Sequence, residues 1–217
     1  MKDSHFIDRR TVVGSLASGL SLCTGCLSNQ SNRITQRASE REKNLQRDLL
    51  LWLKFDEANI AGNVLEDKSG NGNDAIVYGD PTFSQTSPFG CSMRFDGEDD
   101  CLTIPSALSA SEQTTHALFK PDSSPSEDRL LDSKTRGGFR LDISGRNTVR
   151  YILFDSEERP HSVIGETTLK PSRYYSVTAV WDGSNQRVYL DGDVDGEIEN
   201  SRTENGKNQC SNRSECK

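Results

Sequence analysis

From Leu49 onward the chain alternates apolar and polar residues with a period of two, and that spacing decides which folds are open to it. Leu51, Leu53 and Phe55 alternate with Trp52 and Lys54, and Asp56-Glu57 end the run. Short segments of the same kind follow at Ala75–Tyr78, Cys91–Phe95, Cys101–Ile104, Thr115–Phe119 and Arg129–Asp132. Others lie at Phe139–Ile143, Val149–Phe154, Tyr174–Trp181 and Arg187–Asp191. Each is bounded by Gly, Asp, Asn or Pro, which punctuate strands. No amphipathic run of helical length interrupts them, so a parallel βαβ architecture is excluded. The expectation is an all-β, antiparallel sandwich or barrel.

Two turns carry their own mechanism. Asp96-Gly97 and Asp182-Gly183 supply residues that tolerate positive φ, so each is expected to close a hairpin between its flanking strands.

Charge divides the chain. Residues 49–196 hold 14 basic and 24 acidic residues, for −10, whereas residues 1–26 carry +1 and residues 27–48 carry +2. That balance argues against a nucleic-acid-binding surface. The chain shows no run of 18 apolar residues, so no membrane-spanning helix is expected.

Residues 1–26 read as an export signal. Arg9-Arg10 precede a weakly apolar run, Thr11 to Leu22, that resembles a twin-arginine leader. Leu22-Cys23-Thr24-Gly25-Cys26 resembles a lipobox, in which Cys26 is lipidated and becomes the mature N-terminus. Such a chain would meet the membrane through its lipid anchor alone. Residues 27–48 are polar and suit a linker. The expected location is the cell surface or periplasm, as a membrane-anchored lipoprotein.

The motifs of the middle segment resemble the laminin-G-like domain of the concanavalin A-like lectin/glucanase type. They are Leu51-x-x-x-Phe55-Asp56-Glu57, Asp67-Lys68-Ser69-Gly70-Asn71-Gly72-Asn73, and Met93-Arg94-Phe95-Asp96-Gly97-x-Asp99-Asp100. Ala117-Leu118-Phe119-Lys120-Pro121, Tyr174 to Gly183 and Val188-Tyr189-Leu190-Asp191-Gly192 continue the series in order. The resemblance implies a jelly roll of two curved antiparallel sheets over residues 49–196, followed by a polar tail, 197–217. The family continues beyond this last hairpin with further strands. Here only Glu197-Ile198-Glu199 stands in their place, so either the tail improvises or the sandwich lacks its last strands.

Cysteines fall in pairs. Cys91 and Cys101 flank the expected Asp96-Gly97 hairpin, where antiparallel pairing would bring them within bridging distance, and a Cys91–Cys101 disulfide is expected. Cys210 and Cys216 would close a small loop in the tail. Zinc is a poor alternative, because the spacings fit no ribbon or finger and the chain has three His.

Asp67, Ser69, Asn71 and Asp74 place oxygen ligands along a Gly-rich loop, and Asp96 and Asp99, with Asp100, lie close in sequence. Ca²⁺ prefers such hard oxygen donors, although Asp, Asn and Ser are also what tight turns are made of. The family includes calcium binders, so Ca²⁺ is the cofactor the resemblance implies.

Catalysis finds no support. Glycosidases of this fold need carboxylates alternating on one strand, and no Glu-x-Asp-x-x-Glu run occurs. Glu197-x-Glu199 has the alternation but no third partner. The reading is a non-catalytic module that binds glycan or extracellular protein, with a structural, adhesive or degenerate truncated domain as the alternative and a glycosidase-related enzyme ranked behind both. Tyr151, Tyr174, Tyr175 and Trp181 are aromatic enough to stack on sugars, but their strand positions suit a core equally well.

Overall fold

The computed structural model describes residues 5–8, 13–14, 48–87, 90–104, 111–122, 128–133 and 138–199. Sixteen strands lie among the described residues. They are β1 (His5–Asp8), β2 (Val13–Gly14), β3 (Ile60–Ala61), β4 (Val64–Leu65), β5 (Ala75–Tyr78), β6 (Thr82–Ser87), β7 (Gly90–Arg94) and β8 (Cys101–Ile104). The series continues with β9 (Gln113–Phe119), β10 (Arg129–Ser133), β11 (Phe139–Ile143), β12 (Val149–Phe154), β13 (Pro160–Ile164), β14 (Tyr175–Trp181), β15 (Asn185–Leu190) and β16 (Asp193–Glu199). The helical content of the described residues is one 3₁₀ turn, Glu57–Asn59.

All pairings are antiparallel. One sheet has the order β13-β12-β11-β10-β1-β8-β5-β4-β3, a second β16-β15-β14-β9, and a third β2-β7-β6. The period of two explains the layering. Along β14 the burial alternates strictly, with Tyr175, Val177, Ala179 and Trp181 inward. They meet Phe139, Leu141, Tyr151, Leu153 and Val163 from the nine-stranded sheet. Each large side chain so enclosed contributes roughly 1.5–3 kcal/mol. The result is the β-sandwich expected of a concanavalin A-like domain. The Gln113 amide crosses this core to donate to the Tyr151 hydroxyl at 2.7 Å, so the buried phenol keeps a partner.

A second cluster, Phe55, Leu65, Ala75, Met93, Phe95, Leu102 and Ile104, fills the other end. Leu131 of β10 packs against both clusters.

The Asp182-Gly183 turn closes the β14–β15 hairpin as expected, with Trp181 opposite Gln186. The N–H groups of Asn185 and Ser184 and the Arg187 guanidinium all donate to Asp182, and hold its carboxyl well below the usual carboxylate range.

Elsewhere the structure corrects the expectations. Asp96-Gly97 closes no hairpin, because β7 lies in the three-stranded sheet and β8 in the nine-stranded one. The segment is a crossover between layers. Cys91 on β7 and Cys101 on β8 therefore do not face one another across a hairpin ladder. Leu51–Phe55 is not a full strand but makes one bridge, Leu53 to Asp67. The loop around Asp67 takes the backbone of Trp52 instead: the Trp52 N–H donates to Asp67 Oδ1 and the Lys68 N–H to the Trp52 carbonyl. Glu197-Ile198-Glu199 belongs to β16, paired with β15, rather than to a tail. Arg9, Arg10, Cys26, Cys210 and Cys216 lie outside the described residues.

Candidate functional site

The crossover from β7 to β8 gathers carboxylates through its own backbone bonding. Asp100, only 4% exposed, accepts the Asp80 N–H on Oδ1 and the Asp96 N–H on Oδ2, both at 2.8 Å. One side chain thus ties the end of β5's turn to the start of the crossover. Gly79 makes the approach possible. Its φ is +74°, and a Cβ there would fall 2.3 Å from Asp100 Oδ1. The Glu98 N–H donates to Asp96 Oδ1 at 2.7 Å, and this bond leads the causes that hold the Asp96 carboxyl below its ordinary value.

Asp96, Asp99 and Asp100 consequently bring carboxylate oxygens within 4.8 Å of one another. They share a cleft of about 260 Å³ with Asp80, Thr82 and Arg94. Arg94 directs its guanidinium to Asp122 at 2.6 Å, which leaves the cleft dominated by negative charge. Three clustered carboxylates are hard oxygen donors of the kind Ca²⁺ selects, so the residues present fit that ion.

The other expected calcium ligands, Asp67, Ser69, Asn71 and Asp74, lie in a separate hydrogen-bonded loop. Asp67, 5% exposed, accepts hydrogen bonds from the N–H groups of Trp52, Ser69 and Asn73 and from the Ser69 hydroxyl. Burial opposes its charge, but the Ser69 hydroxyl and these N–H groups outweigh it and hold the carboxyl below its ordinary value. Asp74 accepts the Asp67 N–H at 2.9 Å. The Asn71 side chain donates to the Leu49 carbonyl at 2.6 Å, and the Asn73 side chain to the Leu50 carbonyl at 2.7 Å. Ser69 and its neighbours therefore clamp the entering chain at residues 49–50. The structure brings Asp96 and Asp99 together with Asp100, and makes Asp67, Ser69, Asn71 and Asp74 a separate loop brace.

The aromatic candidates are also sorted. Tyr151, Tyr175 and Trp181 are at most 2% exposed and belong to the core. Tyr174 is half-buried under the Lys120 ammonium, 5.2 Å from the ring centre. His116 points outward and pairs with the Thr178 hydroxyl across β9 and β14 at 3.0 Å. Glu197 is taken by Arg187 at 2.6 Å.

Against known proteins, a laminin G family model described as the concanavalin A-like lectin/glucanases superfamily matches residues 96–212, more than half of the chain. The chain belongs to that superfamily. Laminin G-like domains are typically non-catalytic binding modules, and this member fits a binding module. Among solved structures, an S-layer domain-containing protein from Clostridium thermocellum is similar at 19% identity and a TM-score of 0.44. The match covers 76% of this chain and 83% of that one. No curated protein matches the chain.

Asp80, Thr82 and Arg94 were not legible as site residues. Their convergence depends on β6 and β7 pairing, Thr82 opposite Arg94, and on the long-range Asp80–Asp100 bond. The polar strand Thr82–Ser87 shows no apolar alternation that could reveal it.

Proposed function

We propose that this chain is an exported, lipid-anchored, non-catalytic module that binds carbohydrate through the cleft at the β7–β8 crossover, with Ca²⁺ held by Asp96, Asp99 and Asp100. The observation that carries this reading is the cleft itself: about 260 Å³, lined by Asp80, Thr82, Arg94 and the three clustered carboxylates. Such a lining suits a ligand rich in hydroxyl groups, which needs many hydrogen-bond partners and no deep apolar pocket. Bound there, the cation would offer open coordination positions to sugar hydroxyls. Thr82, and Arg94 paired with Asp122, would orient the ligand from the same lining.

Export rests on Arg9-Arg10 before the weakly apolar run, and anchoring on the lipobox-like Cys26. The laminin G-like fold also supports a place outside the cytoplasm.

A glycan array probed with the full chain, in Ca²⁺ and in chelator, tests the reading. Signal in Ca²⁺ that the chelator removes is the expected result. Silence in both conditions, or binding only to extracellular proteins, would sink the carbohydrate assignment.

A further inference from the structure

The nine-stranded sheet is two half-sheets joined by one short strand. On one side of β1 stand β13-β12-β11-β10, and on the other β8-β5-β4-β3. His5 to Asp8 lie opposite Ile104 to Cys101 of β8, and Phe6 lies opposite Asp132 of β10. Among the described residues no other strand lies between β8 and β10. The chain leaving β8 goes to β9 in the other layer before returning to β10, so the two halves are not connected through a local turn.

The geometry of that gap is specific. Because β1 is antiparallel to both neighbours, β8 and β10 run in the same direction. Their facing edges are two interstrand spacings apart, about 9–10 Å. An empty gap of that width would leave facing rows of backbone N–H and C=O groups without ladder partners. Direct collapse would demand a shift of one whole strand spacing by one half-sheet. Leu131 resists such a shift, because it packs against both core clusters. In the three-stranded sheet β2 is an edge strand: Val13 and Gly14 pair with Met93 and Ser92 of β7, both fully buried.

We propose that the space between β8 and β10 is a strand-acceptor site, and that the N-terminal segment His5–Asp8 is its ligand. The slot takes an extended, proline-free peptide of at least four residues, running antiparallel to both walls and recognised mainly through its backbone. This is recognition by strand addition, with two walls instead of one edge. The inference stands on backbone register and needs neither the carbohydrate reading nor any processing event. It does have a consequence for export. The strand that fills the slot directly precedes Arg9-Arg10, so a leader held in the sheet and a leader engaged by an export machinery are competing states. Removal of the leader ahead of Cys26 would open the slot to a strand supplied in trans.

Hydrogen exchange on the full chain tests this, using wild type, Ile7→Pro and a synthetic peptide of residues 3–15. Proline at position 7 removes a ladder donor and disfavours the strand. Amide protection in β8 and β10 should fall on the order of tenfold or more, while the β14–β15 hairpin keeps its protection. Adding the peptide should restore protection in β8 and β10. A fluorescent copy of the peptide should bind the variant and not wild type, and a peptide with proline at the same position should bind neither. If Ile7→Pro loses protection throughout, restoration by the peptide still supports the proposal. Unchanged protection in β8 and β10, or a loss that the peptide does not reverse, overturns it.

Discussion

The Arg150 guanidinium grips the Asp142 carboxylate through two parallel hydrogen bonds, each 2.8 Å, across the β11–β12 ladder. The two residues are register partners, and Asp142 is only 2% exposed. Beside them, Asp132 and Arg140 pair between β10 and β11, with Nε and Nη2 both on the single oxygen Oδ2 at 3.1 and 3.0 Å. The face of the sheet turned away from the apolar core thus carries buried carboxylates, each held by an arginine.

Removing one member of such a pair should cost more than the pair itself contributes, because the remaining buried charge loses its compensation. Arg150→Met is expected to destabilise the fold by about 3 kcal/mol. Asp142→Leu combined with Arg150→Met should recover most of that loss. Chemical denaturation of the three proteins measures both effects.

Asp67 braces the entry to the sandwich with four accepted hydrogen bonds from Trp52, Ser69 and Asn73. Its folded carboxyl titrates below the ordinary 3.8, so ionised Asp67 favours the folded state. Asp67→Asn keeps one acceptor oxygen and should lose about 2 kcal/mol at neutral pH. The wild-type advantage should be complete above the unfolded value near 3.8, shrink as pH falls from there through the lowered folded value, and vanish below it. Denaturation midpoints measured between pH 7 and pH 2 report the trend.

Asp100 and Gly79 act as one device. Asp100→Ala deprives two backbone N–H groups of their acceptor and should cost about 2–3 kcal/mol. Gly79→Ala forces a Cβ to within 2.3 Å of the same carboxylate, at a positive φ, and should weaken the cleft by the same route. Because both changes act on one contact, the double variant should be less destabilised than the sum of the singles. Thermal melts of the set decide this.

The strands most legible in the sequence were those with a strict apolar period. β8, β11 and β12 have the boundaries that their patterns predict, because their alternate apolar residues enter the core between the sheets. Polar edge and outer strands were not legible: Thr82–Ser87, Pro160–Ile164 and Asp193–Glu199 owe their structure to partners far away in sequence. The Asp96-Gly97 turn shows the same limit from the other side. Its residues are those of a hairpin, yet the choice between hairpin and crossover is made by which sheets β7 and β8 join. The carboxylate cluster was readable from local spacing at Asp96, Asp99 and Asp100, whereas Asp80 and Thr82 reach the cleft through long-range pairing. Pairing of His5–Asp8 was hidden for a different reason, since a leader-like composition carries no sheet register.

The claim that the β7–β8 crossover is the working site is tested most directly by calorimetric titration of Ca²⁺ into the full chain and into Asp99→Asn. Asp99 lines the cleft with Asp96 and Asp100, so its substitution removes one of three clustered carboxylates. The account predicts saturable uptake by wild type and a loss of at least about tenfold in affinity for the variant, at an unchanged melting midpoint. Absence of binding by wild type, or equal affinity in both proteins, would contradict it.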